Sequence, residues 1–329
     1  MRIFVTGASG YIGRSLVDRL IGEGHEVSVL MRKDHPDPFF RHERIKKIDG
    51  DLLNEHAISE GMKGCEQVYH LAAYARIWAP DPKTYFSVNV IGTENILRAA
   101  EQNGVQKVVF TSTGGTYGIS NGKPIHEDLV RTVDFFNEYE SSKFMAEERA
   151  LRFAHRGLNV VIVHPTRVYG PGIWNESNAV TRMIRLYING RWRFIPGDGR
   201  AIGSFAYIDD IVEGHMLSMQ RGKLGEKYIL GGVNASFNTF FSLLREVSGK
   251  NYTLLRMPMK SMLLFGWSQE LLAEWFGREP LITRKWIRKY SYDCDCSSAK
   301  AIANLGYKVT PLKDGIHKTL EWLNSECKL

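Results

Sequence analysis

Short apolar runs alternate with longer stretches of helical spacing through the first half of the chain. Residues 2–6 (RIFVT) form an apolar run that stops at Gly7, and residues 11–21 follow with a helical period. Residues 26–31 (EVSVLM), 45–48 and 67–71 predict three further strands. Residues 84–102 predict a long helix, with Ala and Leu at helical spacing. A fifth strand is expected over 105–112 (VQKVVFTS), a helix over 138–155 and a sixth strand over 159–165 (NVVIVHP). Near-continuous apolar strands joined by helices predict a parallel sheet covered on both faces. Right-handed crossovers make it doubly wound, a Rossmann-type α/β fold.

After Pro165 the rhythm breaks. Turn signals cluster at Gly170-Pro171-Gly172 and Pro196-Gly197-Asp198-Gly199. A strand over 202–208 and a helix over 209–219 are expected to bring residues 200–222 back to the first lobe. The last hundred residues mix helices with short strands such as 228–230. The expected organisation is a nucleotide-binding lobe over 1–165 and a smaller α/β C-terminal lobe, mostly substrate-binding, over 166–329.

Composition narrows the class. With 329 residues, 43% of them hydrophobic and 24% charged, the chain can bury a sizeable core, which excludes a disordered or disulfide-stapled protein. The net charge of +7 is spread along the chain and fits an anionic small ligand better than a nucleic-acid groove. Cys65, Cys294, Cys296 and Cys327 offer only one close pair, so they read as free thiols of a reducing compartment, and no metal is expected. No apolar stretch approaches the roughly 18 residues of a transmembrane helix, and the N-terminus reads as a strand, not a leader. A cytoplasmic location is expected.

The turn after the first strand carries the first chemistry. Gly7, Gly10 and Gly13 are spaced G-x-x-G-x-x-G around Tyr11 and Ile12. One glycine turns the chain, one admits a pyrophosphate to the backbone, and one lets helix and strand approach. The helix start then offers free N–H donors to phosphate. At the end of the second strand an acid would accept from the ribose of NAD. Met31 stands there, followed by Arg32 and Lys33, so NADP is expected, with NAD as the alternative. Asp51, next to Leu52, is placed to accept from the adenine amino group or to cap the following helix. The small run Leu71-Ala72-Ala73 leaves room for a cofactor at the end of the fourth strand.

Tyr139 and Lys143 begin the helix expected over 138–155 and lie one turn apart on one face. An ammonium there would stabilise a phenolate and lower the phenol pKa from about 10; it could also bond the nicotinamide ribose. Thr111, Ser112 and Thr113 end the fifth strand, where a hydroxyl faces the ligand crevice of a parallel sheet. Tyr74 and Trp78, just past the fourth strand, are candidates to line that crevice.

Taken in order, residues 6–13, 50–52, 71–73, Asn89, 111–113 and 139–143 resemble the extended short-chain dehydrogenase/reductase family, within the NAD-dependent epimerase/dehydratase superfamily. The resemblance covers residues 1–170 and continues more weakly through 168–172 and 205–210. It implies that Tyr139 is the acid/base, that Lys143 assists it, and that Thr113 holds the reacting oxygen. It further implies Pro165, Thr166 and Val168 as cofactor contacts, and Arg167 and Tyr207 as substrate contacts. Asn89 matches a structural position.

Three departures inform the branch. Gly114-Gly115 replace the Asp-Glu pair of nucleotide-sugar dehydratases. Arg167 replaces the Asn that epimerases usually carry before Val-Tyr-Gly-Pro. The acid at the end of the second strand is absent. Pro165-Thr166 and Arg32 resemble the dihydroflavonol-reductase branch, which reduces ketones with NADPH. Residues 228–232 and 276–280 are similar to bacterial proteins of that branch labelled as hopanoid-associated sugar epimerases. The expected activity is reduction of a small-molecule ketone, or oxidation of its alcohol. The alternatives are a nucleotide-sugar epimerase with tightly held NAD and, since both Tyr139 and Lys143 are present, less readily a non-enzymatic NADP-sensing regulator. The resemblance also implies a homodimer through a four-helix interface. Residues 256–290, rich in Met, Trp, Leu and basic side chains, read first as lobe core or dimer face, with peripheral membrane contact as the alternative.

Overall fold

The computed structural model describes residues 1–33, 37–174 and 178–326; Cys327 lies outside them. In chain order the first half comprises β1 (Arg2–Thr6), α1 (Tyr11–Gly22), β2 (Glu26–Met31), β3 (Ile45–Asp49), α2 (Glu55–Met62) and β4 (Gln67–His70). It continues with α3 (Lys83–Phe86), α4 (Gly92–Gln102), β5 (Lys107–Thr111), α5 (Glu138–His155) and β6 (Val160–Pro165). The second half holds β7 (Arg167–Tyr169), α6 (Ala179–Ile188), β8 (Phe194–Pro196), β9 (Ile202–Tyr207), α7 (Ile208–Arg221), β10 (Lys227–Leu230) and β11 (Val233–Ser236). It ends with α8 (Phe237–Ser248), β12 (Leu255–Met257), α9 (Met259–Phe276), α10 (Arg284–Lys289), α11 (Ala299–Leu305) and α12 (Leu312–Glu326).

The main sheet has seven parallel strands in the order β10-β6-β5-β4-β1-β2-β3. Successive residues of each strand face opposite sides. Val5, Val29, Tyr69 and Val109 face one core with residues of α1 and α7. Phe4, Val68, Val108 and Phe110 face the other with residues of α2, α4 and α5. Full burial of each such side chain stabilises by about 1.5–3 kcal/mol.

Two placements differ from what local pattern suggests. The short strand at 228–230 is β10, and it completes the main sheet beside β6. β9 instead joins a three-stranded sheet with β7 and β11, so only α7 of residues 200–222 lies against the main sheet. The helix expected over 84–102 forms with a π-turn at Ser87–Ile91 between α3 and α4. Because all main strands are parallel, their carboxyl ends share one edge. β1 and β4 are neighbours there, yet their connections run in opposite directions along the sheet, which opens the switch-point crevice. Among the described residues no helix is long and apolar enough to cross a membrane, and no three potential metal ligands cluster.

Candidate active site

The glycine turn is built by close approach. Gly7 has φ +75°, and a Cβ there would stand 2.6 Å from the Ala72 backbone nitrogen. A Cβ on Gly13 would stand 2.0 Å from the Gly7 carbonyl oxygen. Gly10 is the N-cap of α1; no side chain caps it and the first turn holds no acid. The first amides of α1 therefore remain donors for an anion. The Tyr11 phenol turns away and donates to the Gly170 carbonyl at 2.8 Å, and Ile12 packs against the core. These two residues offer backbone to the crevice, not side chain. Gly13→Ala is expected to cost about 1–3 kcal/mol by overpacking and to weaken nucleotide binding. Thermal melts and a binding titration check this; an unchanged melt and affinity would contradict the close approach.

At the adenine end Met31 is buried and Arg32 and Lys33 are exposed. Asp51 does not cap α2. Asn54 does, accepting from the Ala57 amide at 3.0 Å, while Asp51 accepts from the Leu53 amide at 2.8 Å in a local turn. Leu52 is buried beneath Gly92.

A buried chain of polar groups fixes the segment after β4. The Ala72 amide donates to the Thr6 hydroxyl at 3.2 Å, and Thr6 meets His70 Nδ1 at 2.7 Å. His70 Nε2 meets the Thr93 hydroxyl at 2.9 Å, and Thr93 donates to the Asn89 carbonyl at 2.6 Å. Burial and the nearby Lys143 hold His70 well below the usual imidazole range, so its ring is neutral. The Asn89 side chain accepts from the Tyr74 amide at 2.7 Å and donates to Ser142 at 2.9 Å. Ser142 in turn donates to the Tyr139 carbonyl at 2.9 Å. The π-turn thus ties the β4 exit to the first turn of α5. His70 and Ser142 escaped sequence reasoning, because their partners are distant in the chain.

Of the three hydroxyls ending β5, two are spoken for. Thr111 meets His215 at 2.9 Å and Ser112 donates to Glu147 at 2.5 Å, both buried. Thr113 alone is half-buried, and its hydroxyl is close enough to the Tyr139 phenol to pull the phenol's pKa down. It also accepts from the Gly115 amide at 3.2 Å. Burial pushes the Tyr139 phenol up to about 12 against the lowering pull of the Thr113 hydroxyl. Lys143 does not lower it here, contrary to the expectation from one-turn spacing. The residue is 1% exposed, and its buried ammonium stands 4.2 Å from the Phe110 ring centroid with no hydrogen-bond partner. Burial pushes Lys143 down to about 7, against the opposing pull of Glu147.

Glu147 follows one turn later and is a second group that sequence reasoning missed. His164 bonds its carboxylate at 3.0 Å and Lys227 at 2.9 Å, beside Ser112. Burial alone would raise this carboxyl. His164, Lys227 and Ser112 outweigh it and hold the group at about 2. The first turn of α5 is braced from outside: buried Glu140 pairs with Arg131 at 3.2 Å and Lys289 at 2.7 Å, and Lys285 pairs with Glu138.

Pro165 and Thr166 reach the crevice edge at Gly114, where a Cβ would stand 3.3 Å from Thr166 Cγ2. Val168 is buried in the core. Leu71, Ala72 and Ala73 are half-buried beside the glycine turn. Trp78 is half-buried, and its carbonyl accepts from the Tyr74 hydroxyl at 3.4 Å; the Tyr74 ring stacks edge-on against Tyr85 at 4.9 Å. Arg167 lies over Gly203, between the Phe205 and Phe237 rings at 5.6 and 5.2 Å, and its buried Nη1 has no partner. Tyr207 does not join the candidate substrate residues: it is 3% exposed and packs edge-on against Tyr169. Cys65 and Cys296 are buried and Cys294 half-buried, all free thiols.

The Cβ-free cradle, the uncapped helix start and the orphaned Lys143 ammonium fit a nicotinamide dinucleotide: pyrophosphate on the turn and ribose hydroxyls on Lys143. The family model described as the NAD dependent epimerase/dehydratase family matches residues 3–231. A putative dihydroflavonol 4-reductase of Synechocystis sp. is 29% identical over 98% of this chain and 94% of its own length. A 4-hydroxy-2-methyl-3-oxo-4-farnesyl-3,4-dihydroquinoline-1-oxide ketoreductase of Stigmatella aurantiaca is 30% identical over 79% of this chain and 77% of its own. Among solved structures, the UDP-glucuronic acid 4-epimerase of Bacillus cereus, in complex with UDP-glucuronic acid and NAD, is 25% identical with a TM-score of 0.78, covering 99% of this chain and 100% of its own.

Proposed function

The chain belongs to the NAD-dependent epimerase/dehydratase family, an NAD(P)-dependent oxidoreductase of the extended short-chain dehydrogenase/reductase type, and from that premise we propose that it reduces the ketone of a small molecule with NADPH. What carries the reading is the exposed Arg32-Lys33 pair at the end of β2, with Met31 in place of an acid, which suits the exchangeable NADPH of a reductase. The named reductases among the relatives support the same direction.

NADPH, when bound, supplies hydride to the carbonyl carbon. Thr113 holds the carbonyl oxygen, and Tyr139 gives its proton to that oxygen as the carbon–oxygen double bond becomes a single bond. The resulting phenolate regains its proton from solvent. Lys143 orients the ribose through its free ammonium.

Arg32 and Lys33 at the β2 end, with no acid at Met31, support NADPH over NADH. Arg32→Asp should shift the ratio of kcat/KM for NADPH over NADH by about tenfold or more, the worth of one or two charge-assisted hydrogen bonds. Rates of NADPH and NADH consumption with a panel of ketones measure it. A wild-type preference for NADH, or a ratio unmoved by Arg32→Asp, would overturn the assignment. A nucleotide-sugar epimerase with resident NAD remains the second reading, favoured by the full-length match to the NAD-bound Bacillus cereus enzyme.

A further inference from the structure

Helix α9 touches the rest of the protein along a narrow stripe. Gly266 and Ala273 are buried, and a Cβ on Gly266 would meet the Ile287 side chain at 2.6 Å. The opposite face is apolar and open. Leu264 is 64% exposed, Trp275 73% and Phe276 68%, with Phe265 and Leu272 exposed between them. At 100° per residue, Leu264 and Trp275 lie on one line and Phe265, Leu272 and Phe276 on the next. The expectation that residues 256–290 form lobe core therefore fails at α9.

Four cations flank α9, beside the exposed Glu274 of the helix itself. Arg256 and Lys260 stand at its start, Arg278 just past its end, and Arg288 on the adjoining α10; all four are exposed, with no ion pair among the described residues. Apolar side chains within a basic rim match an anionic bilayer: the first enter the acyl boundary and the second meet the headgroups. A second copy of the chain would instead bring two basic rims together, which opposes association. The same unit reaches the active site, since Lys285 and Lys289 of α10 pair with Glu138 and Glu140, the neighbours of Tyr139.

We propose that α9, with Arg256, Lys260, Arg278 and Arg288 around it, seats the protein on the surface of an anionic lipid bilayer and sets the Tyr139 crevice beside the membrane. The substrate class follows, resting on the reductase reading: an amphiphilic ketone that partitions into lipid.

Vesicle sedimentation tests the seating without reference to activity. Vesicles of phosphatidylcholine with phosphatidylglycerol should bind the full-length protein, vesicles of phosphatidylcholine alone far less, and salt should weaken the binding. Trp275→Ser/Phe276→Ser should lower the bound fraction roughly tenfold or more, while its melting temperature and NADPH affinity stay at wild-type values. No binding to the anionic vesicles would overturn the proposal, as would equal binding by the double variant. A wild-type dimer that the double variant converts to monomer would overturn it in favour of a self-association face. Vesicle binding together with failure to reduce any ketone would leave the seating intact and sink the reductase reading instead.

Discussion

Tyr139→Phe is expected to lower kcat by a factor on the order of 10²–10⁴, the usual contribution of one positioned proton donor, with NADPH affinity unchanged. The aromatic ring stays, so the half-buried position keeps its packing and only the hydroxyl is lost. That hydroxyl lies near Thr113 and is the group proposed to protonate the substrate oxygen. Thr113→Val should act in the same direction with a smaller loss, since it removes the group that holds the oxygen but leaves the proton. Lys143→Met should differ in kind: the ammonium is proposed to meet the cofactor ribose, so NADPH affinity should fall along with kcat. Single-turnover rates and a nucleotide titration separate the three. If Tyr139→Phe retained the wild-type rate, the proton would come from elsewhere and the assigned chemistry would be wrong.

Glu147→Ala is expected to destabilise the fold by about 3–5 kcal/mol, the cost of removing one partner from a buried charge cluster. The carboxylate is 2% exposed and receives Ser112, His164 and Lys227. Without it, Lys227 and His164 lose their acceptor, Ser112 at the end of β5 is released, and Lys143 loses the carboxylate that opposes its loss of charge. Glu147→Gln should cost less, because an amide keeps the volume and one acceptor. The pH dependence carries a matching sign. The folded carboxyl, at about 2, lies below its usual 4.5, so its contribution is full above about 4.5 and is lost as pH falls toward 2. Denaturant unfolding at several pH values reads both effects. A Glu147→Ala variant as stable as wild type, or one with the same acid dependence of stability, would contradict the role given to this cluster.

Local features of the chain were legible and distant ones were not. The glycine turn reads from sequence because its spacing, its preceding strand and its following helix are contiguous. Tyr139 and Lys143 read from their one-turn separation, and α5 spans the 138–155 expected of it. Electrostatics did not follow from spacing. Lys143 rests over Phe110 and the Tyr139 phenol rises, because burial of both groups outweighs their nearness in the helix. The Glu147 cluster draws on β5, α5, β6 and β10, and no pattern in the sequence links those four. The π-turn at Asn89 answers to Tyr74 and Ser142, contacts set by tertiary structure. α9 misled for a different reason: apolar residues lie all round it, the usual mark of a buried helix, yet only one narrow stripe finds a partner.

The nucleotide that the purified protein carries tests the central claim most directly. Acid-quenched protein, with the released small molecules identified by mass spectrometry, should yield either none or NADP(H) that exchanges freely with added NADPH, as a reductase that trades cofactor on every turnover requires. Stoichiometric NAD that survives purification and resists exchange would contradict the account, removing the argument from Arg32 and favouring an epimerase that keeps one cofactor through each cycle.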